Sequence, residues 1–212
     1  MCKFLNIKSN FYMSTLNTNE TTTIKGANLK ADDTLAINSK NLSIESVQNR
    51  QKSRDKSNGF SVGFGTSGLQ SLGVNKSSGS LDSKETLLTD LRGNSVNINT
   101  LEQTKLRGAT IAAVDSQGDD NSQLTLNTNT LIASSLNNRV DSKSKSLSIN
   151  IGGNVEENTL NNVALDYSND KTNQKTKTLA TLGSGNINIT NTDDSEFKML
   201  NRDIQDNEVD IY

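Results

Sequence analysis

The sequence predicts an all-β protein, a right-handed parallel β-helix in which short strands stack coil upon coil. Three observations carry that reading. Apolar residues recur with a period of two in short runs, one stretch of the chain repeats another, and the composition favours hydrogen-bonded polar ladders. Asn, Ser and Thr number 30, 26 and 22 of 212 residues, against 31% hydrophobic and 4% aromatic residues. There is no Pro, which would remove a ladder donor. The net charge of -2 also sets the chain apart from disordered proteins, which are usually Pro-rich and highly charged.

The alternating runs are Leu35-x-Ile37, Leu42-x-Ile44, Val96-x-Ile98, Leu124-x-Leu126, Leu147-x-Ile149-x-Ile151 and Ile187-x-Ile189. Each reads as a half-buried strand, because successive side chains of a strand point to opposite faces. Turn formers separate them at Asp32-Asp33, Ser39-Lys40-Asn41, Gly93-Asn94 and Asn127-Thr128-Asn129. Helical spacing is confined to residues 85–91.

Self-similarity comes next. Residues 33–46 match residues 122–135 at a constant offset of 89, and the register persists from Asn49-Arg50 to Val62-Gly63 onto Asn138-Arg139 to Ile151-Gly152. Upstream, Thr23-Ile-Lys-Gly-Ala27 resembles Lys105-Leu-Arg-Gly-Ala109 at an offset of 82. The seven extra residues fall near 116–121, a Gly/Asp/Asn stretch suited to a loop, and a partial third copy begins at Gly185. Each strand has only two or three aliphatic side chains to bury. Stacking coils of roughly 20 residues merges them into one core, and about ten coils would give a rod of ~48 Å. Ile37, Ile44, Leu126 and Leu131 are expected inside, with Asn and Thr of successive coils forming ladders.

The elements follow a fixed order in both copies. A Gly-Ala coil at Gly26-Ala27 precedes the strand pair around Ile37 and Ile44; a Ser/Lys/Arg-rich excursion at 48–58 then closes on the Gly-rich strand Phe60-Ser-Val-Gly-Phe64. The second copy has its excursion at 138–146. In this order the chain resembles the haemagglutinin repeat of filamentous-haemagglutinin-like bacterial exoproteins over about residues 20 to 205. Residues 177–205 resemble the end of that module in contact-dependent inhibition exoproteins. The resemblance implies three parts: a poorly ordered stretch at 1–19, a β-solenoid at 20–192 and an acidic tail at 193–212. It also implies a structural or adhesive segment of a long secreted or cell-surface protein, an adhesin or toxin-delivery stalk exported by an outer-membrane partner through two-partner secretion. Its partner would be a target-cell surface, not nucleic acid. The alternative is a membrane-interacting module that aids toxin passage across a target outer membrane. Residues 1–15 lack the continuous apolar core of a signal peptide.

Composition points away from catalysis. With no His, a Ser-His-Asp or Cys-His site cannot be built, and with one Cys neither an internal disulfide nor a Cys/His zinc cluster can form. No apolar run approaches the ~18 residues of a spanning helix. Gly63-Phe-Gly65-Thr-Ser-Gly68 spells a dinucleotide fingerprint but lacks the strand–turn–helix unit that gives those glycines their purpose. Ser53-x-x-Lys56 has no Lys-Thr-Gly companion. Asp115 to Asn121 misses the acid spacing of a calcium loop and reads as an Asx-rich turn. Glu156-Glu157 and Asp193-Asp194, adjacent on a strand, would face opposite sides. Cys2 reads as an incidental free thiol. No cofactor, metal or enzymatic activity is expected.

What remains are surface candidates. Arg50, Lys52, Arg54 and Lys56 cluster in one excursion, and Arg139, Lys143 and Lys145 in the equivalent one. A third basic cluster is Lys171, Lys175 and Lys177, while residues 193–212 hold seven acids against two bases, a net of -5. The basic clusters read first as solvated strands and second as contacts for anionic lipid or polysaccharide. Phe60, Val62 and Phe64 alternate with Ser61 and Gly63; a place in the core is the preferred reading over a membrane-active hairpin.

Overall fold

A computed structural model describes residues 10–66, 68–154 and 159–211. Cys2 and the Glu156-Glu157 pair lie outside them. Among the described residues every regular element is a strand. In chain order these are β1 (Asn10–Asn17), β2 (Thr21–Lys25), β3 (Asn28–Glu45), β4 (Val47–Gly65), β5 (Gly68–Leu87), β6 (Thr89–Gly93), β7 (Ser95–Arg107) and β8 (Ala109–Ala113). There follow β9 (Leu124–Thr128), β10 (Thr130–Ser134), β11 (Leu136–Asn154), β12 (Thr159–Thr178), β13 (Thr181–Leu182), β14 (Gly185–Ile189) and β15 (Glu208–Asp210). Residues 85–91, the one stretch with helical spacing, are strand on either side of Leu88. There the extended pairing of Leu91 with Leu29 and Ile111 overrides the local spacing.

The chain divides into two units, one of residues 1–49, 85–138 and 175–212, the other of Arg50–Lys84 and Arg139–Gln174. The first is a parallel β-helix. β3 alone makes one coil, β6 with β7 the next, and β8, β9 and β10 the one after, all paired in parallel. β1 with β2 lies on one side of these, and β13 with β14 on the other.

Strand register sets the interior in columns. Leu16, Ile37, Ile98, Leu126 and Ile187 stack on one face, and Ile24, Ile44, Leu106 and Ala133 on a second. Leu29, Leu91, Ile111 and Leu182 stack on a third. Ile37, Ile44, Leu126 and Leu131, expected inside, are at most 1% exposed. The shared dry interior is therefore real, and it buries what no single strand could.

Polar ladders run beside the apolar columns. Asn38 donates to Asn17 at 2.7 Å, Asn99 to Asn38 at 2.8 Å, Asn127 to Asn99 at 2.7 Å and Asn188 to Asn127 at 2.7 Å. Inside the corner, the Thr100 hydroxyl donates to Thr128 at 2.7 Å and lies 2.8 Å from Thr104. Thr128 in turn donates to the Thr130 carbonyl, so these buried hydroxyls are satisfied.

Two glycines turn the chain from the second face to the third. Gly26 (φ 60°) and Gly108 (φ 51°) adopt the left-handed conformation at equivalent corners, and a Cβ on either would press into Val47 or Leu136. The Gly-Ala pairs of the repeat are these corners. Ser116 and its neighbours form the expected turn, in which Asp115 Oδ1 accepts from the backbone N–H groups of Gln117 and Asp119.

The expectation of about ten coils is corrected. Among the described residues there are five, because the excursions do not coil. Residues 50–84 and 139–174 instead build the second unit, a sheet in the order β12-β11-β5-β4. Its central pair, β5 and β11, is antiparallel, running from Arg139 opposite Lys84 to Gly152 opposite Ser71. Among the described residues, none of this unit belongs to a buried apolar cluster.

Candidate functional site

The sheet unit is the part of the chain with chemistry on display. Its two faces differ because side chains alternate. On one face a Cβ at Gly59 would meet Asn75, one at Gly63 would meet Ser71, and one at Gly73 would meet both Ser61 and Asn150. Ser146 Oγ donates to Ser168 Oγ at 3.4 Å on the same face. That face is Gly, Ser and Asn.

The alternate residues make the other face. Phe60, Val62 and Phe64 share it with Leu72 and Val74 of β5, which pair with Ile151 and Ile149 of β11. Val163, Leu165 and Tyr167 of β12 complete the apolar half. Phe60 and Phe64 are 70% and 77% exposed, and Leu165 and Tyr167 are both 66% exposed. The core placement of Phe60, Val62 and Phe64 is therefore corrected. Alternation gave them a common face, but in a single layer nothing is packed over that face.

Further along the same face the residues become charged. A recess of about 290 Å³ is lined by Lys52 and Arg54 of β4, Ser80 and Asp82 of β5, Arg139, Asp141 and Lys143 of β11, and Lys171 of β12. Three basic clusters that are far apart in sequence converge here. The register places Asp141 opposite Asp82 and Lys143 opposite Ser80, so a small serine forms the floor between longer basic side chains. Arg139 Nε donates to Asp141 Oδ2, which accounts for one cation and one anion. Among the described residues, Lys52, Arg54, Lys143 and Lys171 have no carboxylate within 4.0 Å. The recess thus carries a surplus of positive charge. Arg50, Lys56 and Lys145 lie exposed on the same strands but do not line it, and neither do Lys175 and Lys177.

Among the described residues no group of three or more Cys, Asp or Glu side chains is placed to hold a metal ion. The glycines of the fingerprint-like run sit at the end of β4 and the start of β5, and Ser53 and Lys56 lie on β4. The contributions of Ser80, Asp82 and Asp141 were not visible in the sequence. The alternation Val163-x-Leu165-x-Tyr167, which completes the apolar half, is a signal of the same kind as the other runs but is not among those that carry the sequence prediction.

The sequence fits the family described as "Hemagglutinin repeat" over residues 6–119, more than half of the chain. The chain belongs to the haemagglutinin repeat family. The matched stretch takes in the first excursion and the coils on either side of it, ending in the Asx-rich turn. A second copy of the coil pattern, from Ser122 onward, follows from the internal repetition and from the pairing of β9 and β10 with β7. No curated protein and no solved structure matches the chain.

Proposed function

We propose that this haemagglutinin-repeat chain is a structural and adhesive segment of a large bacterial exoprotein, secreted or held at the cell surface, with no chemistry of its own. Its solenoid supplies a rigid support, and the uncovered face of the sheet unit meets the target-cell surface. The observation that supports this is the single-layer sheet, which leaves large apolar and aromatic side chains in water beside a basic half. Exposed apolar patches of this kind mark interaction surfaces. Export of the full-length protein by an outer-membrane secretion partner belongs to the same reading, as does service as an adhesin or as a toxin-delivery stalk. Labelled full chain is expected to bind whole bacterial cells. Phe60→Ser/Phe64→Ser should lose most of that binding while keeping its far-ultraviolet circular dichroism. Equal binding by both proteins would remove the sheet face from the proposal.

A second reading is favoured by the neighbouring apolar and basic halves, namely a membrane-interacting module that aids toxin passage across a target outer membrane. An open single sheet leaves edge N–H and C=O groups unpaired, so it would lie in the interface and not span the hydrocarbon. Flotation with neutral and anionic vesicles tests it; binding to neither would remove it.

A further inference from the structure

The geometry points to the recess over Ser80 as a binding site for a phosphate group carried by a target-surface molecule. This rests on the sheet face being a contact surface, and it adds the chemistry of what the basic half recognises. Like charges gathered around one concavity repel each other. Lys52, Arg54, Lys143 and Lys171 line one recess of about 290 Å³ without carboxylate partners. Asp82, the other acid in the lining beside the Arg139-bonded Asp141, is outnumbered by them.

A compact anion of charge near -2 relieves that repulsion better than a single carboxylate does. Phosphate also has three outer oxygens to accept from several donors at once. Ser80 supplies a hydroxyl on the floor, opposite Lys143. The guanidinium of Arg54 can donate two parallel N–H bonds to phosphate, while the lysines act as point charges. The volume admits a phosphate and the first atoms of its carrier. The apolar half of the same face, from Phe60 to Tyr167, is where a hydrophobic remainder of that carrier would lie.

The phosphate could belong to a lipid headgroup or to a soluble phosphorylated group. The full chain would be titrated with inorganic pyrophosphate by calorimetry, and floated with phosphatidylcholine vesicles with and without phosphatidic acid. Arg54→Gln/Lys143→Gln is compared with Arg107→Gln/Lys198→Gln, which removes the same charges from exposed positions elsewhere. Each basic residue near an anionic surface contributes enough that losing two should weaken phosphatidic-acid vesicle binding on the order of thirtyfold. The control pair should change binding by less than about threefold, since it touches no part of the recess. Pyrophosphate binding that follows the same pattern shows that a free phosphate group suffices; vesicle binding without pyrophosphate binding identifies the lipid headgroup. The site is overturned if wild type binds neither probe, if Arg54→Gln/Lys143→Gln binds like wild type, or if both pairs lose binding equally. Flotation with phosphatidylcholine alone, lost in Phe60→Ser/Phe64→Ser, reports the apolar half separately, so failure of the recess and failure of the contact face are distinguishable.

Discussion

Glu45 shows how single residues tie coils together. Its carboxylate lies 3.3 Å from the Lys105 ammonium and 3.9 Å from that of Lys25, side chains of the coils on either side. Burial raises its pKa, but hydrogen bonds from Lys105 and Ser43 and the charges of Lys105 and Lys25 outweigh this and hold it below the ordinary 4.5. A depressed folded-state value means that the stability Glu45 contributes is present above pH 4.5 and is lost as pH falls through the folded value. Asp90 works in the opposite sense. Burial lifts its pKa above the ordinary 3.8 despite Arg92, so its contribution is greatest in acid and is lost as pH rises. Urea midpoints measured from pH 6.5 down to 3 should fall less steeply in Glu45→Gln than in wild type. Parallel curves would show that Glu45 does not couple the coils. At this scale the sequence was a good guide to the corners, since Gly-Ala pairs recur where φ is positive. It was a poor guide to Phe60 and Phe64, because a period of two tells which residues share a face and not whether anything covers it.

Strands meet at longer range around Asn138. Its amide nitrogen donates to Thr178 Oγ1 at 2.9 Å, Glu208 Oε1 at 3.0 Å and Thr176 Oγ1 at 3.2 Å, and its oxygen accepts from Thr86 at 2.6 Å. Gln48 donates to the neighbouring Asn137 carbonyl at 2.8 Å. β4, β5, β11, β12 and β15 are joined by this one amide and its neighbours. Asn138 is 8% exposed, and Asn138→Ala takes the partner from the buried Thr178 hydroxyl and breaks the links to Thr86 and Glu208, although Thr176 keeps Glu208 and Thr86 keeps Gln48. The substitution should cost about 2–3 kcal/mol in chemical denaturation. A loss under about 0.5 kcal/mol would mean that water replaces the amide. The repeat offset of 89 residues was legible, but what it spans was not. In the structure it comprises two steps along the solenoid, of 61 and then 28 residues, because the coil of β6 and β7 lies between the two matching copies. That coil keeps the core pattern of its neighbours and, in Asn99, the rung of the polar ladder. The pairing of β5 with β11 was likewise hidden: antiparallel register between residues 55 to 81 positions apart carries no local signal.

At the scale of the molecule, the two units are held together by different physics. The solenoid unit has columns of fully buried aliphatic side chains; the sheet unit depends on backbone hydrogen bonds and cross-strand contacts in water. Regions with few buried apolar contacts open at lower free energy. Amide hydrogen exchange should therefore protect β3, β7 and β9 at least a hundredfold more than residues 50–84 and 139–174. Uniform protection would show that the sheet unit is shielded by means other than a core. The asparagine column adds a constraint of its own. From Asn188 to Asn17 every side-chain amide hands its proton in the same direction, so the column has a head and a tail, like arrows laid end to end. A further parallel rung continues the column when its amide N–H meets the side-chain oxygen of Asn188 at the end of it. A coil added in parallel and in register extends both the column and the backbone pairing, which makes a tandem duplication of the gene a direct way for the solenoid to lengthen.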